Sequence, residues 1–212
     1  MRSLHNSARW QTVIRSLLLM KFSVFLFFIG LGLSGCQQQR VTGKRYLNMD
    51  SLINEQVYYL THFNASLNKE AVIGNNRSSS TSKLDSTTWS YELDVFRQLD
   101  LINRPIYRDA YQVTDRVKDP KSNLLIKSYE AQSGSPVPYL RVYYLDTPLR
   151  MKRLEALYQE NNALYGSQRK LEMYFDGEPG RPFLKGYLIE GNQKMMLSDS
   201  VHYAIHSEVV LQ

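Results

Sequence analysis

The hydrophobic pattern changes its period once, near Tyr107, and that change limits what this chain can fold into. Beyond it, apolar residues recur at alternate positions, as a half-buried strand requires, since successive side chains point to opposite faces of a sheet. The clearest case is the last: Val201, Tyr203, Ile205, Val209 and Leu211 fall on one face, with His202, Ala204, His206 and Glu208 on the other. Further strands are expected from Tyr107 to Val117, Leu124 to Ala131, Val137 to Leu145, Gln168 to Phe175, Phe183 to Glu190 and Gln193 to Leu197. Asp119-Pro120, Gly134-Ser135-Pro136, Thr147-Pro148, Gly177, Pro179-Gly180 and Gly191-Asn192 mark the turns between them. Met151 to Tyr158 fits either period, and strand is preferred. Turns this short join antiparallel neighbours, so the pattern reads as a meander.

Before Tyr107 the spacing is helical. Asp50 can cap a helix over residues 50–64, with Leu52, Ile53, Gln56, Val57, Tyr59, Leu60 and Phe63 along one side. Asp85 or Ser86 can cap a second, lined by Trp89, Leu93, Phe96 and Leu99, and Pro105 ends it. Between them, residues 70–82 read as a small hairpin or a loop around Gly74. The expected fold is α+β: two N-terminal amphipathic helices packed on the concave side of a curved antiparallel meander of about seven strands, an open or partly closed barrel.

None of this applies to residues 1–35. Lys21, the twelve-residue apolar run Phe22 to Leu33 and the small residues Ser34-Gly35 meet the requirements of a secretory signal: a basic start, a core of about 7–15 apolar residues and a small-residue cleavage site. The run falls short of the roughly 20 apolar residues of a spanning helix. Met20 is an alternative start to Met1. Leu33-Ser34-Gly35-Cys36 is similar to the lipobox of bacterial lipoproteins. The resemblance implies cleavage between Gly35 and Cys36, a diacylglyceryl thioether on Cys36 and acylation of the new amino terminus. Cys36 is the only cysteine, so no intramolecular disulfide and no thiol-based active site is expected. Residues 36–45, polar and without apolar period, read as a lipidated tether, and residues 46–212 as one globular domain. Gln37 in place of Asp after the lipid site favours the outer membrane by resemblance to known sorting, with the domain facing the periplasm.

Charge adds an exclusion. Of the 26 basic residues, Arg2, Arg9, Arg15 and Lys21 precede the cleavage point and none of the 20 acidic ones does, so the mature chain is close to balance. Nothing in it calls for nucleic acid as a partner.

The lipobox, two short helices and a run of strands containing residues 162–171 (NALYGSQRKL) and 188–194 (LIEGNQK) resemble uncharacterised envelope lipoproteins of Bacteroidetes-type bacteria. More distantly, helices over an open antiparallel half-barrel look like the lipoprotein carrier and receptor of the Lol pathway, an analogy of fold that implies no activity by itself.

No named catalytic motif occurs, so no catalytic residue, cofactor or metal is expected. His202 and His206 share a strand face but stand about 13 Å apart at strand rise, too far to hold one metal ion directly. The strands are rich in tyrosine and methionine, among them Tyr129, Tyr139, Tyr143, Tyr144, Tyr158, Tyr174, Tyr187, Tyr203, Met151, Met173, Met195 and Met196. Such side chains can line a site for a lipid or another amphiphile, or simply fill a core. The functional expectation is therefore a non-catalytic envelope lipoprotein, bound to the membrane through Cys36, that holds a lipophilic ligand with Trp89, Leu93 and Phe96 as part of its cover. A protein-docking module of an outer-membrane assembly is the alternative.

Overall fold

The computed structural model describes residues 45–107, 109–132, 134–196 and 199–211. The expected signal, Gly35, Cys36 and the tether through residue 44 lie outside the described residues.

The first helix, α1 (Met49–His62), is capped by Asn48 rather than Asp50; the Asn48 side chain accepts from the Ser51 N–H at 3.0 Å. Asp50 lies in the first turn, where a carboxylate meets the positive end of the helix dipole. At the other end Asn64 turns left-handed at φ 50°, Ala65 N–H donates to Leu60 O at 2.9 Å and Asn64 N–H to Thr61 O at 3.1 Å. This closes the helix as a Schellman motif two residues before the expected end, Asn tolerating the conformation that bulkier residues avoid. Met49, Leu52, Ile53, Gln56, Val57 and Leu60 form its buried face.

The second helical stretch is broken. Asp85 caps α2 (Ser86–Glu92), accepting from Thr88 N–H at 2.8 Å; α3 (Asp94–Arg97) follows after Leu93, and a 3-10 segment, Gln98–Asn103, completes it. The apolar spacing explains the break. Leu93, Phe96, Leu99 and Ile102 are three residues apart and all fully buried. An ideal α-helix would rotate that series off the core, whereas three-residue turns keep it aligned.

Nine antiparallel strands among the described residues form one open sheet: β1 (Ser66–Ile73), β2 (Asn76–Lys83), β3 (Tyr111–Lys118), β4 (Leu125–Ala131), β5 (Tyr139–Tyr144), β6 (Met151–Asn161), β7 (Tyr165–Glu178), β8 (Arg181–Met195) and β9 (Val201–Val210). Their order is β2-β1-β9-β8-β7-β6-β5-β4-β3. The mixed α+β class and the antiparallel meander are as expected. The number of strands is not: the polar hairpin β1–β2, between the helices in sequence, adds to the sheet beside β9.

Residues 183–197, expected as two strands, instead belong to the single strand β8 as far as Met195. Gly191 stays in the ladder opposite Tyr203, whose ring lies where a Cβ on Gly191 would fall, with its nearest carbon 2.5 Å from that position. An aromatic side chain thus covers the bare backbone, and the glycine serves a close approach rather than a turn.

One face of the sheet buries Leu67, Val209, Tyr187, Ile189, Met173, Leu171, Leu154, Ala156, Leu140 and Val142 with the helical residues. Gln56 ties the layers together: its amide donates to Pro182 O and accepts from Leu184 N–H, both at 2.8 Å, so α1 is bonded to the backbone of β8.

Candidate functional site

Strand alternation sends every second side chain of β1, β9, β8, β7 and β6 to the face opposite the helices. Register aligns them into rows. Val72, Ala204, Glu190, Lys170 and Leu157 are consecutive cross-strand neighbours, and His202, Asn192 and Gln168 form the adjacent row. These eight side chains, with Gly74, Gly191 and Tyr203, line a cavity of about 480 Å³. The cavity is shallow and open to solvent, extending across five neighbouring strands.

Next to it, Ser79, Glu70 and His206 form one row and Thr81, Asn68 and Glu208 another, lining a second cavity of about 420 Å³ at the β2 edge. The two differ in chemistry. The larger has a floor of carbon from Val72, Ala204 and Leu157 beneath a polar rim, whereas the smaller is bordered by hydroxyl, amide, imidazole and carboxylate groups. β9 carries His202 and Ala204 to the first and His206 and Glu208 to the second, so the cavities adjoin along one strand.

Toward β5 the same face becomes a lattice of charge and tyrosine. Glu155 and Glu172 are directly opposite each other on β6 and β7, a like-charge pair that would be unfavourable alone. Lys170 donates to Glu172 at 2.6 Å and the Tyr174 hydroxyl at 2.5 Å; the Tyr143 hydroxyl donates to Glu155 at 3.2 Å. Arg153 lies over the Tyr143 ring at 3.8 Å, and Arg141 over Tyr139 at 4.3 Å while pairing with Glu130 at 2.8 Å. Glu172 is 5 % exposed. Burial works against its ionisation, but the bonds from Lys170 and Tyr174 outweigh it and hold the carboxyl below its usual range. Burial, and then the bond to Glu172, push the Tyr174 hydroxyl up. Glu172 is thus an acceptor held ionised, and Tyr174 a donor held protonated, which suits fixed polar recognition better than proton transfer.

The residues expected as a ligand cover lie elsewhere. Trp89, Leu93 and Phe96 are fully buried in the core beneath the helices and border neither cavity. Phe96 meets Tyr187 edge-on at 5.4 Å; the Tyr187 hydroxyl donates to Glu92, which also pairs with Lys69 at 2.5 Å. The helix–sheet interface is occupied by side chains at this point, so these three residues do not line an open site, and both cavities lie on the opposite face of the sheet. The strand tyrosines divide accordingly: Tyr129 and Tyr187 belong to the core, whereas Tyr139, Tyr143 and Tyr174 stand in the outward lattice.

Compared with known protein families, characterised proteins and solved structures, the chain matches none. The resemblances drawn from its sequence rest on the residues themselves.

His202 and His206 do share a face, and each lines a different cavity. Among the described residues no three His, Cys, Asp or Glu side chains gather where they could hold a metal ion. Lys170, Glu190, Asn192 and Gln168 were not singled out by sequence. Their only signal is the alternation that places them off the core, and nothing in one sequence tells that such a face bears a cavity.

Proposed function

We propose that this chain is a non-catalytic envelope lipoprotein, tethered to the outer membrane through Cys36 and facing the periplasm, whose domain binds an amphiphilic ligand on the open face of its sheet. The observation that carries the binding reading is the paired trough: a carbon-floored cavity of about 480 Å³ joined along β9 to a polar one of about 420 Å³. Each is within the roughly 300–1,000 Å³ of small-molecule sites. A ligand with an apolar stretch and a hydroxyl- or amide-bearing head matches them in that order. The apolar stretch lies on Val72, Leu157 and Ala204, and the head meets Asn68, Glu70, Thr81 and His206. An open trough covers its ligand on one side only, so binding is readily reversible, as suits a carrier or receptor.

Ala204, small and between Val72 and Glu190, is the position at which the site can be blocked. Organic extraction of detergent-free protein of residues 37–212, made without the signal and lipid site, followed by mass spectrometry, should recover an amphiphile that is depleted at least tenfold from the Ala204→Trp version. Equal recovery from both, or none from either, overturns the assignment of the trough.

The second reading, docking of an envelope protein, is favoured by β2. All eight of its residues are exposed, its register with β1 is unbroken, and among the described residues it has no strand neighbour on its other side. The opposite edge strand, β3, is interrupted by a bulge between Thr114 and Val117, with Arg116 at φ 58°. A bulged, charged edge resists pairing, whereas a regular one accepts a further strand.

A further inference from the structure

Several exposed apolar side chains occupy one end of the sheet, at the tips of connections. Leu164 lies between β6 and β7 and is 65 % exposed; Met195 and Met196, at 55 % and 63 %, close β8; Ile106, at 79 %, precedes β3. Ile73 and Val201 continue the set across β1 and β9. Met196 N–H donates to Leu164 O at 3.0 Å, so two of the tips are bonded together. Arg104 acts on the Tyr158 hydroxyl, placing the segment that holds Ile106 near the end of β6.

The chain enters the domain at this same end. Arg45 pairs with Asp109, and Tyr46 packs edge-on against Tyr111 and Tyr129 at 5.4 and 5.6 Å. Tyr111 is the first residue of β3; its row runs through Ala131 of β4 to the start of β5, where Tyr139 faces Leu157 of β6. From Leu157, β6 continues four residues to Asn161, about 13 Å at strand rise, before the Leu164 turn. The tips therefore project past the row at which the tether is fixed. Eight residues separate Cys36 from Arg45, and a chain of that length reaches at most about 30 Å between the two.

From this geometry we infer a second membrane contact: the tips bearing Ile106, Leu164, Met195 and Met196 rest in the surface of the bilayer that holds the lipid anchor. The inference rests on the proposed lipidation of Cys36, which fixes the bilayer within a tether's length of this end. Apolar side chains on projecting turns give the interface a shallow, non-spanning contact. Lys194 is opposite Gly166, Arg169 lies over the Tyr158 ring and Arg104 acts on the Tyr158 hydroxyl, against Glu160 opposite Ser167 and Asp199 between β8 and β9, a slight basic excess suited to anionic headgroups. The contact also orients the domain, holding the trough strands upright on the membrane instead of leaving them free to tumble on the tether.

The test uses the full-length lipidated protein in vesicles of phosphatidylethanolamine and phosphatidylglycerol with brominated acyl chains. Wild type has one cysteine, so a thiol-reactive dye that leaves it unlabelled confirms that Cys36 is blocked. Dye is then placed at Leu164→Cys or Ile106→Cys on the tips, and at Ser122→Cys or Leu149→Cys at the far end. Fluorescence should fall at least twofold at the tip sites and stay unchanged at the far ones. Leu164→Asp with Met195→Asp should abolish the quenching at Ile106→Cys while the anchor remains. A blocked Cys36 with no difference between the two ends overturns the tip contact and leaves the anchor standing. Dye uptake by wild type refutes the anchor. In that case tip-specific quenching measured on a Cys36→Ser background upholds the contact alone, and failure of that protein to float with vesicles overturns both.

Discussion

Truncating Phe96 separates a filled helix–sheet interface from a movable cover more directly than any ligand experiment. Phe96 has no exposure and sits edge-on to Tyr187 at 5.4 Å, between α3 and β8. Phe96→Ala removes its buried ring and leaves a void that Tyr187, itself held by Glu92, cannot collapse to fill. Buried Phe→Ala changes cost about 3–5 kcal/mol. Loss of the aromatic pair, worth about 0.5–1.5 kcal/mol, favours the upper half of that range. The expected loss is about 4 kcal/mol, less than the roughly 5–15 kcal/mol of an ordinary domain, so the protein stays folded at room temperature and can be measured. The assay is urea unfolding of residues 37–212 followed by far-ultraviolet circular dichroism. The midpoint should fall while the slope stays constant, and Tm should drop by about 8–16 °C, at 2–4 °C per kcal/mol for a domain of this size. A side chain serving as a mobile lid makes few fixed contacts, and its truncation would cost less than about 1 kcal/mol. A loss that small would refute the filled-core reading and restore Trp89, Leu93 and Phe96 as candidates for a cover.

Gln56→Met should cost about 2–4 kcal/mol by the same unfolding assay, because it strands Pro182 O and Leu184 N–H in the interior; a change under 1 kcal/mol would mean that this bond pair does not join the layers. Cys36→Ala should accumulate as uncleaved precursor, and an unmodified Cys36 in membrane-extracted wild type would sink the anchor. Release of the domain by protease from intact cells would reverse its facing. Tyr111 and Tyr129 are pushed up to about 12 by burial, so the folded state keeps protons that the unfolded chain releases near pH 10. Stability should therefore fall as pH rises above about 10, with part of the tyrosinate absorbance appearing only on unfolding; smooth titration of every tyrosine in a folded protein would contradict this. Glu172 has the opposite sign: its contribution is present above the ordinary carboxylate pKa of about 4.3 and is lost as pH falls through its lower folded value. Lys170→Met should flatten that acid limb and lower stability at pH 7, and an unchanged limb would exclude the Lys170–Glu172 bond as its cause.

The sequence pattern identified the local elements better than their arrangement. Alternation named the strands because each half-buried strand records its own inward face, as Val201, Tyr203, Ile205 and Val209 do for β9. It missed the unity of β8 because Gly191-Asn192 has the composition of a turn, and only the ring of Tyr203, a cross-strand partner, accounts for a glycine in mid-strand. β2 had no inward face to record. Its residues NRSSSTSK are exposed on both sides, so nothing apolar distinguished a ninth strand from a loop. The break after α2 was legible in principle, since Leu93, Phe96, Leu99 and Ile102 keep a three-residue step that a regular α-helix does not bury.

Which face of the sheet carries the cavities is a different kind of question. Trp89, Leu93 and Phe96 form one apolar series, and a series of that kind fits a lid over a hollow as well as a plug in a core. What decides between them is the opposite face, where Val72, Ala204 and Leu157 border a cavity although the residues two positions away on the same strand face, Glu70, His202, His206, Glu155 and Gln159, are polar. Isolated apolar residues on the polar side of a strand carry no signal one at a time. They become a floor only when register places β1, β9, β8, β7 and β6 side by side, and that register depends on the hairpin β1–β2 reaching back across more than a hundred residues to pair with β9. The candidate site is thus a product of long-range strand pairing, formed from positions that local reading assigns to solvent.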